Sequence, residues 1–487
     1  MNIIDILLWV NYGLCLVAIL DMIFVSKKKP ERIIAWTMLL IVPFLGLFIY
    51  LIIGAGLSYF DKKMIKRFEL SSKEYNEQIK KQIDILKKNK KIEDYPPQHK
   101  DLILLNLNTC DSIFTINNNL KFFLDGKSAF DSLIEDIKKA KSSIHLEFYI
   151  FANDKTGKQI KNLLVEKAKQ GVEVRLLYDA IGSFNTSKFM FRKLLKNGGQ
   201  VAQFFPPFLN IKLLNFKANY RNHRKICVID GKIGYTGGFN IRDDHMGKIK
   251  RLSPWRDTTV KLNGEIVNCL QNTFLSDWRF ATRDNSYAKK YINKKYFSNV
   301  ENKKSNKVPL QFITSGPDSS NDAIKVCIAK MMGIAKKSIK IQTPYFIPDD
   351  SIIAAIKMAL LSGVEVSLII PKKIDHWYVH YATLGYVNDL LKFGLKVYIY
   401  KGFIHSKVVM CDDEVITLGS CNIDIRSFSL NFEDNLVIYD SKKAFEYAKY
   451  FEEDINNSSI YDISTMKKTS FITKLIVSFC RLFSAIL

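Results

Sequence analysis

The chain has 487 residues, 47% of them hydrophobic, with 72 Lys plus Arg against 48 Asp plus Glu. That balance excludes a disordered polyelectrolyte, and the length suits about three domains. A net charge of +24 draws anionic partners, whether a membrane surface or a nucleic acid, without deciding a fold.

The first 60 residues stand apart. Ile6–Val25 is apolar but for Asn11 and Asp21, and Ile33–Gly54 carries no charge over a length that can cross a bilayer. No Lys or Arg precedes the first run, and Asp5 has the wrong sign for a signal peptide. Residues 1–60 are therefore expected to form a membrane hairpin of two transmembrane helices. The loop with Lys27, Lys28, Lys29 and Arg32 and the flank with Lys62, Lys63, Lys66 and Arg67 are both basic, so charge does not orient it. A Lys-rich stretch follows and reads as a basic helical linker, residues 61–114. The eight cysteines are scattered singly without a CxxC pair, which suits free thiols in a reducing, cytoplasmic compartment.

Beyond the linker the chain echoes itself. "KKAKSSIHLEFYIF" from Lys138 matches "GIAKKSIKIQTPYFI" from Gly333, and "GVEVRLLYD" from Gly171 matches "GVEVSLIIP" from Gly363. Each pair reads as a helix end feeding a buried strand. "NHRKICVID" (Asn222–Asp230) and "IHSKVVMCD" (Ile404–Asp412) then share His, Lys and Asp at one spacing. Gly237 and Asn240 follow the first as Gly419 and Asn422 follow the second. Asp257 and Glu433 each precede a further apolar strand, and an apolar-periodic helix closes each half. The expected fold is α/β: two fused repeats, 115–304 and 305–460, related by a pseudo-twofold with the site between them.

A cleft shared by His223, Lys225, Asn240, His405, Lys407 and Asn422 would surround a phosphate with charged and neutral donors. One imidazole can attack phosphorus, and the other can protonate the leaving oxygen and then deprotonate the incoming hydroxyl. Asp257 and Glu433 are candidates to orient these rings. Asp230 and Asp412 end their strands, where they can brace the motif. No step requires a metal. His376 and His380 in "DHWYVH" have helical ligand spacing but lack the glutamate of HExxH, so no metal site is assigned.

The paired HxKxxxxD segments resemble the phospholipase D superfamily, and within it the bacterial cardiolipin synthase family. "LEFYIF", "NHRKICVIDGKIGYTGGFNI", "PWRDT" and "FIHSKVVMCDDEVITLGSCNIDIRSFSLNFE" carry the likeness. It implies condensation of two phosphatidylglycerols to cardiolipin and glycerol, through a phosphatidyl-histidine and without a cofactor. It makes His223, Lys225, Asp230, His405, Lys407 and Asp412 the catalytic motifs, with His223 as nucleophile and His405 as acid and base. Gly237, Asn240, Gly419, Ser420 and Asn422 match the positions that line the substrate, and Glu147 and Glu433 match supporting carboxylates. Where the second copy has Ser420 the first has Gly238, so the halves need not contribute equally.

The tail, 461–487, reads as an amphipathic membrane-associated helix. Phe471, Ile472, Leu475, Ile476, Phe479, Leu482, Phe483 and Ile486 share a face opposite Lys474, Ser478 and Arg481. The expected partners are phosphatidylglycerol and other anionic lipids at the cell membrane. No nucleic acid is expected, and a homo-oligomer is compatible with the sequence. The competing readings are a phospholipase D hydrolase or another phosphatidyltransferase, and, outside enzymes, a non-catalytic lipid-binding membrane protein.

Overall fold

The structure is a computed structural model describing residues 2–25, 30–50, 62–63, 65–66, 73–88, 96–206, 219–283, 296–297, 307–319 and 321–482. The first repeat contributes strands β1 (Asn118–Phe123), β2 (Ser143–Phe148), β3 (Glu173–Asp179), β4 (Gln200–Phe204), β5 (Ile226–Ile229), β6 (Ile233–Gly237) and β7 (Thr259–Gly264). The second contributes β8 (Leu310–Ser315), β9 (Ser338–Gln342), β10 (Glu365–Pro371), β11 (Lys396–Tyr400), β12 (Val408–Cys411), β13 (Val415–Gly419) and β14 (Asn431–Ile438). The first sheet runs β1-β7-β6-β5-β2-β3-β4 and the second β8-β14-β13-β12-β9-β10-β11, the same order strand for strand. β2, β3 and β4 are parallel, as are β9, β10 and β11, which is why the GVEV strands are continuously apolar.

Aspartates set where many of the helices begin. Asp125, Asp154, Asp349 and Asp440 each cap a helix by accepting the backbone N–H three residues on. Each repeat buries its outer helices on its own sheet, around Ile144, Leu164 and Leu176 in the first and Ile339, Ile356 and Leu368 in the second. A third apolar cluster joins the halves, with Val228, Val260 and Leu270 meeting Leu310, Val408, Ile416 and Tyr447.

The recurrent Asp of each motif has a local explanation. Asp230 and Asp412 take positive φ, 53° and 56°, which short polar side chains tolerate. From that turn, Asp230 accepts the N–H groups of Lys141, Ser142 and Ser143, and Asp412 those of Lys336, Lys337 and Ser338. Their carboxylates bond the loop that feeds β2 or β9, not an imidazole, an arrangement that fits the bracing role expected of them better than a catalytic one.

Three further expectations change. The boundary at 115 is not where the packing divides: Phe114–Thr115 pairs with β8, and the helix Lys100–Cys110 buries Leu102, Ile103 and Leu107 in the second repeat's core. This segment ahead of the first repeat is therefore docked on the second, with Asn106 bonded to Gln311 and Tyr439.

At the N-terminus, Ile3–Ile23 is the one helix among the described residues long and apolar enough to span a membrane. The expected second span instead breaks into Pro30–Leu40 and Leu45–Ile49, and residues 51–54 lie outside the described set. Pro43 lacks an N–H and cannot continue a helix. The freed N–H of Phe44 donates to Asn11 Oδ1 at 3.0 Å, so the polar residue of the first segment satisfies the break in the second.

The C-terminal helix Phe471–Leu482 leans on Trp377–Leu391. Cys480 and Ile476 pack against the protein, and Arg481, expected on the solvent side, pairs with Asp389. Phe471, Ile472, Leu475, Phe479 and Leu482 are left exposed, while Phe483 and Ile486 lie outside the described residues.

Removing the Asp230 carboxylate abandons three N–H groups at the entry to β2. Asp230→Ala is expected to destabilise the first repeat by about 2 kcal/mol, read as a lowered Tm with the chemistry of the cleft intact at permissive temperature.

Candidate active site

Two short parallel ladders build the cleft. Arg221–Asn222 pairs with Asn431–Phe432, and Phe403–Ile404 pairs with Trp255–Arg256. Each ladder joins the residues before a motif histidine to the residues before the other repeat's carboxylate. The His223 N–H donates to Phe432 O at 2.9 Å and the His405 N–H to Arg256 O at 2.6 Å. One residue further on, His223 Nδ1 meets Glu433 Oε2 at 2.9 Å, and His405 Nδ1 meets Asp257 Oδ2 at 2.7 Å. Each imidazole is oriented by a carboxylate from the opposite repeat. With Nδ1 engaged, Nε2 of each ring is the nitrogen left for chemistry.

The remaining motif residues complete one shared environment. Lys225 Nζ and Lys407 Nζ donate to the backbone carbonyls of His223 and His405, each at 2.5 Å. Both lysines oppose the charge of both imidazoles, Lys225 more than Lys407 at His223 and Lys407 more than Lys225 at His405. Burial lowers the Lys225 ammonium to about 8 and the Lys407 ammonium to about 7, against the pull of neighbouring carboxylates. Burial also takes His223 down to about 4 and His405 well below the ordinary imidazole range. Burial opposes the charge on Glu433, yet His223 and its hydrogen bond hold that carboxyl below the usual value. The cleft thus disfavours the charged form of both imidazoles, and an anion beside them would act in the opposite direction.

The expected substrate-lining residues are mostly occupied by the protein itself. Gly237 and Gly419 sit against the neighbouring strand, where a Cβ would come within 2.4 Å of Thr258 O or 2.1 Å of Asp434 O. Asn240 Oδ1 accepts from Ile150 N–H, and Asn422 Nδ2 donates to Ser427 Oγ. Ser420 Oγ donates to Glu433 Oε2, whereas the space of a Cβ at Gly238 is filled by the Asp257 carboxylate. The Gly238/Ser420 difference therefore gives the second repeat's carboxylate, and not the first's, a hydroxyl donor. Glu147, on β2 beside β5, is buried and bonds Asn222, not a motif histidine.

The sequence reading missed His245. Its Nδ1 accepts from Asn240 N–H at 3.2 Å and lies 3.8 Å from Asp257 Oδ2, and its ring stands edge-on to His405 at 5.1 Å. The matching position, five residues past Asn422, is Ser427, so no repeat flagged it. His245, Asp257 and His405 offer ligand atoms within 4.8 Å of one another and are the residues that would hold a divalent cation. Here those atoms are engaged in the hydrogen bonds just described. His376 and His380 lie apart from this cluster, along another small pocket with Tyr345 and Lys373. Asp434 was missed as well: burial raises its carboxyl to about 7, beside Lys225.

Comparison with known proteins fits this geometry. The family described as "Cardiolipin synthase, PLD-like domain" matches residues 133–278 and 328–455, one segment in each repeat. The chain belongs to this family. The family described as "Phospholipase_D-nuclease N-terminal" matches residues 13–54. The cardiolipin synthase of Oceanobacillus iheyensis is 40% identical, covering 94% of each chain. The major cardiolipin synthase of Bacillus subtilis is also 40% identical, covering 90% of each. Among solved structures, phosphatidylserine synthase of Haemophilus influenzae shares the fold, with a TM-score of 0.59 at 16% identity over 80% of this chain and 98% of its own.

The crossed carboxylates generate a direct expectation. Asp257→Asn and Glu433→Gln should each lower kcat by on the order of 10³-fold with a much smaller change in KM, because ring orientation is lost and lipid contacts are not. Steady-state kinetics on both variants check it; an unaffected rate in either would show that its histidine is oriented otherwise.

Proposed function

We propose that the chain is a membrane-held phosphatidyltransferase that converts two phosphatidylglycerols into cardiolipin and glycerol. The observation that carries this reading is the crossed pairing, which gives one cleft two imidazoles with engaged Nδ1 and two lysines around them. His223 Nε2 attacks phosphorus, and the bond from phosphorus to the head-group glycerol oxygen breaks. His405, protonated on Nε2 once the anionic lipid has entered, gives its proton to that oxygen. A hydroxyl of the second phosphatidylglycerol then loses its proton to His405 and displaces His223 from phosphorus. Lys225 and Lys407 stabilise the charge that develops on the phosphoryl oxygens.

The N-terminal helix supports a membrane anchor, with the broken segment after it crossing or re-entering as the second element of the hairpin. The exposed row Phe471, Ile472, Leu475, Phe479 and Leu482 supports contact with the headgroup layer, and the excess of Lys and Arg supports attraction to anionic lipid on the cytoplasmic side.

Purified protein given phosphatidylglycerol alone is expected to release cardiolipin and glycerol in equal amounts, and His223→Ala to lose this activity. Phosphatidic acid without cardiolipin would instead make water the acceptor and the chain a hydrolase. Unchanged turnover in His223→Ala would overturn the covalent route.

The lysines predict the alkaline limb. Their charged forms recede as pH rises through about 7 for Lys407 and about 8 for Lys225, so capture of the anionic donor weakens. KM is expected to climb above these values before kcat falls, because bound phosphate stabilises both ammonium groups. A pH series of the two constants separately checks it.

A further inference from the structure

The repeats carry matching polar triads behind their motif strands, and one differs by a single atom. In the second repeat Gln342, on β9, accepts from Tyr447 O–H through Oε1 at 2.7 Å and donates through Nε2 to Asp454 at 2.8 Å. Asp454 lies on the closing helix Ser441–Asn456 and is paired with Arg256. In the first repeat the residue at the same register is Glu147: it faces Ile226 of β5 as Gln342 faces Val408 of β12, each three residues past a motif histidine. Glu147 Oε1 likewise accepts, here from Asn222 Nδ2. Its other end meets Asp277, on the closing helix Ile266–Thr282, and Asp277 is paired with Arg224 at 2.5 Å. Even the arginines correspond in space, since Arg224 lies over Phe432 while Arg256 bonds Ser406, the partner positions being exchanged.

The first triad therefore has an oxygen where the second has an amide nitrogen. Glu147 Oε2 is buried and, among the described residues, receives no hydrogen bond from a donor. Two bare carboxylates in contact in this buried place would repel each other. Among the described residues, the charged groups facing them are Arg224, just before β5, and, through that guanidinium, Asp318 from the loop after β8, with Lys66 beyond it. One firm cation thus meets three acids.

We propose that Glu147 is a neutral carboxylic acid donating its proton to Asp277, the counterpart of the Gln342 amide, and that it makes the support of the His223 strand sensitive to alkaline pH. The link to the site is short. Asn222, held by Glu147, accepts the Arg224 N–H and immediately precedes His223. Glu147 is a positioning residue that acts through Asn222. Burial raises the Glu147 carboxyl well above its ordinary value, in keeping with a retained proton. A folded-state value raised in this way contributes stability below the ordinary carboxylate range, and that contribution is lost as pH climbs toward the raised value. The second repeat has an amide in this place, so no proton has to be retained between the two side chains there.

The test compares thermal unfolding of the full chain in lipid or detergent from mildly acidic to alkaline pH. Glu147→Gln should fold and gain on the wild type as pH rises, the gap in Tm widening by about 2–4 °C. The infrared carbonyl band of a buried protonated carboxylic acid should disappear with it. The reciprocal variant Gln342→Glu should install a second alkaline-labile pair and steepen the fall in Tm. Wild type and Glu147→Gln with parallel Tm curves and an unchanged carbonyl band, or a Glu147→Gln chain that fails to fold, would overturn the proposal.

Discussion

Two crossed ladders, each only two residues long, fix the geometry on which the rest depends. Because Arg221–Asn222 lies in register with Asn431–Phe432, His223 and Glu433 emerge side by side; the equivalent pairing delivers His405 to Asp257. Side-chain chemistry here follows from backbone register. A slip of one residue would turn each histidine to the opposite side of its strand and part it from its carboxylate. Neither motif histidine takes its carboxylate from its own half, which makes the site a property of the association and not of the repeat.

The lysines show the cost of building a phosphate site inside a protein. Burial works against the charge of every cation in the cleft, and the carboxylates that relieve it come from both repeats. An anionic substrate is then the missing countercharge. The same burial disfavours the charged form of both imidazoles, which suits the attacking role proposed for His223 and makes the acid role proposed for His405 depend on an anionic lipid.

Much of this was legible in the sequence, because duplication prints functional spacing twice. The His, Lys, Asp, Gly and Asn positions recur, and the GVEV strands fix the register of the halves, so the duplication and the two candidate carboxylates could be anticipated, while the strand order could not. What duplication did not repeat stayed hidden. His245 stands opposite Ser427, and Arg224 and Arg256 fill like places from unlike positions, so neither produces an echo. Asp230 and Asp412 do recur, but for backbone geometry: a left-handed turn and three N–H groups select Asp without any chemistry. The docking of Lys100–Cys110 on the second repeat depends on long-range packing that no local pattern encodes. The break at Phe44 was signalled by Pro43 and Asn11, but only their contact in three dimensions gives those residues a joint meaning.

The apolar cluster between the sheets, together with the stitches on either side of the cleft, bears on how bulky lipids are handled. Val228, Leu270, Val408 and Tyr447 bind the halves over a broad front, and hydrogen-bonded backbone closes the seam beside both histidines. A jaw-like opening would have to break that seam and the catalytic pairs with it. Substrate and product of different bulk would then have to be exchanged with the two halves still joined.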